Sequence, residues 1–206
     1  MTQAYVMTYD NLVLDVQRYM ERTDESFIAQ IPSLIGLAEQ ALAAELKTLL
    51  QLVVVETTIL AGQYIVKKPA RWRKTISFKT NGQPMLERTQ DYLAQLTAES
   101  SNGIPKYYGS YDYDNWMIAP APTVDTPVEI IYYSRTQPLD SANQENLFTR
   151  EAPQALLFGT LLQAQGYLKN QDKLTVWKQY YTDAINAIKG EDKSRSVDRN
   201  TVALEP

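Results

Sequence analysis

The sequence predicts an α+β protein: a mainly helical bundle with a β-rich insertion of a hairpin and short strands, and an extended C-terminal arm. Apolar residues recur at helical spacing near both ends of the 206-residue chain. Between about 51 and 136, β-branched residues and turn signals predominate. Helices on either side of a run of strands indicate the α+β class. The predicted organisation is a single domain over 1–190 and an arm over 191–206.

The N-terminal part of the chain predicts two helices, over about 10–21 and 32–50. Thr8 or Asp10 can cap the first helix, because their side-chain oxygens accept bonds from free backbone N–H groups. The second helix carries one apolar stripe, and Glu39 is predicted to lie off that stripe. The stripe consists of Ile35, Ala38, Leu42, Leu46 and Leu49.

The periodicity then changes to that of strands. The segment "QLVVVETTIL" is rich in β-branched residues, and "QYIVKKP" and "KTISFKT" continue this character. Ile76 and Phe78 alternate with polar neighbours, which predicts that both point to the same buried face. Asn81-Gly82 is a tight-turn signal. The segment "MLERTQDYLAQL" then predicts a helix of about three turns.

Five aromatic residues are concentrated within 105–122, in "PKYYGSYDYDNWMIAPAP". The turn candidate "DYDN" lies between two strand-like segments, so a β-hairpin is predicted, followed by the strand "TPVEIIYYSRT". Tyr107, Tyr108, Tyr111 and Trp116 are predicted to pack the hairpin, because alternate aromatic residues on adjacent strands pair well. A stacking platform for sugars or bases and an intersubunit contact are the alternatives.

Two closing helices are predicted to form an antiparallel αα-hairpin over about 152–189, joined by "KNQDK". Their apolar faces consist of Leu157, Leu161, Ala164 and Leu168, and of Leu174, Trp177, Tyr181, Ile185 and Ile188. After Gly190, low hydrophobicity and mixed charge predict a segment that is disordered alone or orders on a partner. The arm residues expected to contact a partner protein or a neighbouring subunit are Arg195, Val197, Arg199, Val202 and Leu204.

The composition argues against catalysis. The chain has no His and no Cys, which removes the commonest general base, the thiolate nucleophile and the usual zinc ligands. It contains neither a Gly-rich phosphate loop nor a nucleophile motif. Asp112 and Asp114 can be interpreted as the carboxylate pair of a glycosidase. Asp is also typical of turns, and the turn-forming interpretation is favoured. We expect no catalytic residue, no cofactor and no metal.

The charge distribution limits the class of partner. A net charge of −4 argues against a dedicated duplex-DNA binder. One basic stretch surrounds Trp72 and consists of Lys67, Lys68, Arg71, Arg73 and Lys74. It can contact nucleic acid, an anion or an acidic partner, although a solvated strand edge is favoured. No window is predicted to reach the roughly 18 apolar residues of a membrane span. No signal peptide is visible, so synthesis in the cytoplasm without a membrane partner is expected.

Several short motifs occur in a recognisable order along most of the chain. They are "YMERTD", "IPSLIGLAE", "GIPKYYGSYDYDNWMIAPAP", "VEIIYYSRTQPL" and the closing "NLFTREAPQALLFGTLLQAQGYLKNQDKLTVWKQYYTDAINAI". This ordered set resembles the adaptor proteins of tailed bacteriophages, also called connector or head-completion proteins. The basic segment "VKKPARWRKTISF" departs from the milder leucine-proline step of that family, which leaves the role of this region open.

The resemblance implies a structural virion protein without enzymatic activity. Such a protein forms a ring of about twelve copies by head-to-tail contacts. The ring docks beneath the portal, extends the DNA channel and provides the attachment site for the tail. The implied partners are the portal protein, tail or nozzle proteins and further copies of the chain, while genome DNA passes through the lumen without tight binding. The implied location is the head–tail junction of a virion assembled in the bacterial host cytoplasm. A carbohydrate- or nucleic-acid-binding module of a phage tail is the alternative.

Overall fold

The predicted change of periodicity near residue 51 coincides with a boundary in the fold. The computed structural model describes residues 6–46, 51–99, 103–169 and 173–201. The chain divides into a helical unit, formed by 1–51 with 136–206, and a β unit over 52–135. The α+β class is therefore confirmed. That residues 1–190 behave as a single domain stays a prediction.

Along the chain, three helices are followed by a region of strands with one helix, and then by three further helices. The helices are α1 (Tyr9–Met20), α2 (Glu25–Ile28), α3 (Ile31–Glu45), α4 (Gln90–Glu99), α5 (Leu147–Glu151), α6 (Pro153–Leu168) and α7 (Leu174–Thr201). The strands are β1 (Leu52–Ile59), β2 (Ile65–Lys67), β3 (Trp72–Thr80), β4 (Gln83–Pro84), β5 (Leu86–Glu87), β6 (Tyr107–Ser110), β7 (Asn115–Ala119) and β8 (Thr126–Ser134). All helices except α4 belong to the helical unit.

Local sequence signals account for the helix ends. The Thr8 hydroxyl accepts a bond of 3.2 Å from the Asn11 N–H and caps α1. Pro32 lies in the first turn of α3, where the missing N–H costs nothing. This helix ends at Glu45, earlier than predicted, because Leu46 adopts an extended backbone conformation. Residues 47–50, including Leu49, lie outside the described residues.

The core of the helical unit surrounds α6, which packs against α1, α3, α5 and α7. The α3 stripe is buried at Ile35, Ala38, Leu42 and Leu46, and α6 is buried at Leu157, Leu161 and Ala164. In α7, Trp177 and Ile185 are buried, while Tyr181 and Ile188 are half-buried against the same cluster. The two closing helices thus meet through the faces that the helical spacing predicted.

One segment differs from the expectation that no part of the chain is apolar enough to span a membrane. Residues 25–45 are long and apolar enough to cross a membrane by length and composition, with a mean hydropathy of 1.3. Ile31, Ile35 and Leu42 of this segment are fully buried in the core of the helical unit. Burial within the bundle accounts for this apolar composition, because core helices are apolar for the same physical reason.

The prediction that Glu39 lies off the buried stripe of α3 needs correction. Its side chain is buried, with 7% exposure. Its Oε2 accepts a 3.1 Å bond from the Leu139 N–H, and its Oε1 accepts a bond from Asn146 Nδ2. Asn146 in turn caps α5 through a reciprocal pair of bonds with Thr149. Burial raises the pKa of Glu39 above its usual range, and the two bonds oppose that effect. The carboxylate therefore ties α3 to the loop that starts α5.

The β unit is built from two four-stranded sheets, ordered β1-β8-β3-β4 and β2-β7-β6-β5. Among the described strand pairs, only β5–β6 is parallel. Residues from both sheets share one core, in which the Phe78 ring lies 5.3 Å from that of Trp116 and 5.2 Å from that of Tyr108. β1 begins at Leu52 directly opposite Tyr133 near the end of β8, so the chain enters and leaves this unit side by side.

Two details of the β unit differ from the sequence prediction. Ile76 is 47% exposed although Phe78 is buried, because the β3–β8 register shifts between Thr75 and Ser77. Such a bulge adds one residue and reverses the alternation of faces. The helix predicted from Met85 begins only at Gln90. The residues before it form β4 and β5, because backbone pairing with β3 and β6 overrides local helix propensity.

The predicted tight turn is present, since Asn81 and Gly82 both have positive φ, 48° and 75°. The predicted extended arm, in contrast, needs correction: α7 continues to Thr201. Its packed first half nucleates the helix, and each further residue then adds a backbone bond at little cost. Charged residues spaced three or four apart support the extension. Val202 and Leu204 lie outside the described residues, as do the side chains of Arg195, Val197 and Arg199.

Candidate interaction surfaces

The aromatic hairpin β6–β7 places its rings in two environments. Trp116, at 2% exposure, and Tyr108 are buried between the sheets. Tyr107 is half-buried and packs edge-on against Tyr92 of α4, with 5.8 Å between ring centroids. Tyr111 is 41% exposed, because it begins the turn rather than lying within a strand. The rings are therefore divided between core and surface and do not line one common groove.

The turn of this hairpin is organised by Asp112. Its Oδ1 accepts bonds from the backbone N–H groups of Asp114 and Asn115, at 2.8 and 2.7 Å. The Asn115 side chain also donates to this carboxylate, and these bonds lower the pKa of Asp112. A glycosidase acid needs a raised pKa. The geometry thus supports the turn-forming role of Asp112.

Lys68 differs from the rest of the basic stretch because it is buried within the β unit. Its Nζ donates to Ser110 Oγ at 2.8 Å and to the Asp112 carbonyl at 2.7 Å. The ammonium also lies 4.3 Å from the centroid of the Trp72 ring, a cation–π geometry. Burial lowers the pKa of Lys68, and the nearby Asp carboxylates oppose that effect. This charge is used internally to hold the hairpin turn.

The remaining basic side chains lie near the same turn. Lys67, Arg71 and Lys74 are exposed, and Arg73 is half-buried. The sequence interpretation missed Arg135, whose N–H donates to the Arg71 carbonyl at 2.7 Å. Its guanidinium also donates to the hydroxyl of exposed Tyr113 at 2.9 Å. The register of β3 with β8 brings these groups together, and no local spacing could have indicated it.

We predict that the two arginines of this stretch do not hold DNA tightly. Replacing Arg71 and Arg73 together with Ala should leave the salt concentration for elution from a DNA column unchanged. The reason is that the chain is acidic overall and Lys68 is engaged internally. A double Ala variant of Lys178 and Lys189 loses the same charge from α7 and serves as the control. Earlier elution of the arginine variant alone would contradict the prediction.

A second surface lies on the helical unit. Tyr19 of α1 packs edge-on against Phe158 of α6 at 6.4 Å, and Tyr180 of α7 lies 5.1 Å from the same ring. Beside Tyr19 is a cavity of about 450 Å³ that Gln165 and Trp177 also line. Gln165 is buried, and its Oε1 has no hydrogen-bond partner among the described residues. Glu21, Arg22 and Lys173 also line this cavity, so it favours polar or charged groups over apolar side chains. Of these residues, the sequence analysis named only Trp177, as part of an apolar helix face.

Within the described ranges, no three Asp or Glu side chains are grouped so that they could hold a metal ion. The lowered pKa of Asp112 and the buried, hydrogen-bonded Glu39 both have structural explanations. Both carboxylates therefore serve to hold the fold.

Comparison with known proteins agrees with this interpretation. The family model of the SU10 adaptor protein matches residues 7–203. None of the curated proteins matches the chain. The family match spans both the helical and the β unit and extends to the end of α7. The chain accordingly belongs to the SU10 adaptor protein family and is a phage structural protein of the head–tail adaptor type.

Proposed function

We propose that this protein is the subunit of an adaptor ring that docks beneath the portal. The ring extends the DNA channel and provides the attachment site for tail or nozzle proteins. The family match over residues 7–203 carries the proposal. About twelve copies join by head-to-tail contacts. The protein acts at the head–tail junction of the virion, assembles in the host cytoplasm and uses neither catalysis nor a cofactor.

The part of α7 beyond Ile188, residues 189–201, is called the α7 extension and supports the docking step. Among the described α7 side chains, Ile188 is the last that packs on the core of the helical unit, and the helix continues to Thr201. At 1.5 Å per residue, 189–201 spans about 20 Å. Residues 189–191 and 193–194 are exposed. A preformed helix loses less conformational entropy on docking than a disordered arm does, so it suits contact with the portal or a neighbouring subunit.

The charge supports passage of DNA without tight binding. The chain has 24 acidic and 20 basic residues. A lumen that neutralised many phosphates would retain the genome and slow its movement. Lys68, one of the five basic residues of the stretch around Trp72, donates its hydrogen bonds within the protein. A ring of acidic subunits is therefore compatible with a DNA conduit.

Deleting the residues after Gly190 tests the proposal. The free subunit should keep its melting temperature, because no described side chain after Ile188 belongs to the apolar core of the helical unit. Assembly onto the cognate portal should be lost or weakened by at least about tenfold, since the extension supplies contacts only in the assembly. Mass measurement of mixtures with portal reports assembly, and the full-length protein should be monomeric alone and form a ring with portal.

Two substitutions at Ser194 test whether docking requires the α7 extension to be helical. Ser194→Pro interrupts the helix while keeping every other residue, and should weaken docking as the deletion does. Ser194→Ala keeps the helix and should dock normally. Full-affinity loading of the truncated protein would remove the extension from the mechanism. A stable dimer that portal does not alter would contradict the adaptor ring itself.

A further inference from the structure

Strand β1 forms an open edge of its sheet. It pairs with β8 over its whole length, from Leu52 to Ile59, and has no strand on its other side among the described residues. Successive backbone groups of a strand point alternately to its two sides. A row of N–H and C=O groups of β1 therefore faces away from β8. Such a row is a template for another strand.

The other edge strands of the two sheets are short. The part of β3 that β4 does not cover carries Arg73, Lys74 and two register shifts, whereas β1 has none of these protective features. β4 and β5 have two residues each, and β4 contains Pro84. β2 has three residues and carries the exposed Lys67. Short strands, Pro and Lys are the usual means of blocking an edge. β1 has eight residues, "LVVVETTI", without Pro, Lys or a register shift.

A row of charges across the sheet is incomplete at this edge. Lys79 of β3 lies opposite Glu129 of β8, and their Nζ and Oε1 atoms are 2.7 Å apart. Glu56 of β1 lies directly opposite Glu129 on its other side. Like charges at directly opposed positions destabilise a sheet. Among the described residues no cation pairs with Glu56. Across the sheet the row therefore consists of Lys79, Glu129 and Glu56, and its last carboxylate lacks a positive partner.

The neighbourhood of Glu56 favours an extended polypeptide over other ligands. Val54, two residues earlier and on the same face, is 58% exposed and lies opposite half-exposed Ile131. A cavity of about 300 Å³ borders Glu56, Glu129 and Lys79. This space is sufficient for a Lys or Arg side chain from a strand laid beside β1. The edge thus combines backbone bonds, an aliphatic contact and an uncompensated carboxylate.

We propose that β1 accepts an extended segment of a partner protein as a further strand of the sheet. The segment places Lys or Arg opposite Glu56 and a β-branched residue opposite Val54. Main-chain hydrogen bonds supply affinity, and the two side chains supply register and specificity. This inference goes beyond docking on the portal through α7, and it uses residues of the β unit alone.

Two labelled peptides test the proposal, TVTKTVT and TVTETVT. Each places Val two residues on either side of the central charge, so it fits β1 in either direction. Fluorescence anisotropy should show that wild-type protein prefers the Lys peptide by about tenfold, the effect of reversing a cross-strand charge. Glu56→Lys should reverse that preference. Glu87→Lys, which makes the same charge change on β5, should leave it unchanged.

The remaining outcomes are equally decisive. Amide hydrogen exchange within 52–59 should slow on addition of the Lys peptide, which shows that the peptide pairs with β1. Absence of binding, equal binding of both peptides or reversal by Glu87→Lys would overturn the proposal. If wild-type protein alone associates and Glu56→Lys changes that association, the strand belongs to a second copy and not to a different protein. Since Glu56 is exposed and lies opposite Glu129, the Lys variant should match or slightly exceed the wild-type melting temperature.

Discussion

Trp116→Ala should lower the free energy of unfolding of the β unit by about 3–5 kcal/mol, because it empties the centre of that core. The side chain is almost fully buried, and its ring lies 6.0 Å from that of Trp72 and 5.3 Å from that of Phe78. Both sheets contribute residues to this cluster. Truncation therefore leaves a cavity that neighbouring side chains of two sheets cannot fill by a small movement.

Thermal and urea unfolding measure this effect. A loss of this size corresponds to roughly 6–20 °C in melting temperature. Tyr113→Ala, in the turn of the same hairpin, serves as the control, because Tyr113 is 71% exposed and its loss should change stability little. A melting temperature of Trp116→Ala within about two degrees of wild type would show that Trp116 is not a packing residue and would revive the ligand-platform interpretation.

Glu39→Ala should destabilise the helical unit by about 2–3 kcal/mol, the second largest effect we expect. The substitution leaves the buried Leu139 N–H without an acceptor and removes one of two acceptors of Asn146 Nδ2. It also frees the residue that caps α5. Glu145→Ala removes an exposed carboxylate from the same loop and should have little effect. Equal losses in the two variants would contradict the role of Glu39.

Glu39 should also give stability a defined dependence on pH. Because burial raises its pKa above the ordinary 4.5, the folded protein binds this proton more tightly than the unfolded chain does. The corresponding stabilisation is complete below pH 4.5 and is lost as pH rises through the raised pKa. Relative to wild type, Glu39→Gln should therefore gain stability between pH 4.5 and neutral pH. Urea unfolding at several pH values measures the difference, and a constant difference would contradict the assignment.

Local signals predicted those parts of the fold that depend on neighbouring residues. Thr8 caps a helix, Pro32 occupies a first turn and Asn81-Gly82 forms a tight turn, and each effect acts over a few residues. The α+β class followed from periodicity alone. The exposure of Ile76, in contrast, results from a bulge in a strand pair whose members lie some fifty positions apart. Periodicity cannot reveal an extra residue in such a register.

The candidate surfaces were less predictable for the same reason. Lys68 belongs to a basic run in sequence, yet its ammonium is held by the hairpin turn more than forty positions later. Glu39 was placed off the apolar stripe, because a carboxylate is buried only when distant donors are present, here on Leu139 and Asn146. The open edge at β1 depends on strand order, which no single strand encodes.

The pairing of Leu52 with Tyr133 has a consequence for whether the β unit can be replaced by another sequence during evolution or design. The two ends of the β unit are neighbours across a strand pair, so their Cα atoms are about 5 Å apart. A short turn is sufficient to bridge that distance. Residues 52–135 thus form a cassette that recombination, or a designer, can replace with a longer, shorter or unrelated insert without moving the flanking chain ends apart. Variation between related adaptors should accordingly be concentrated in this cassette, while the helical unit keeps its length.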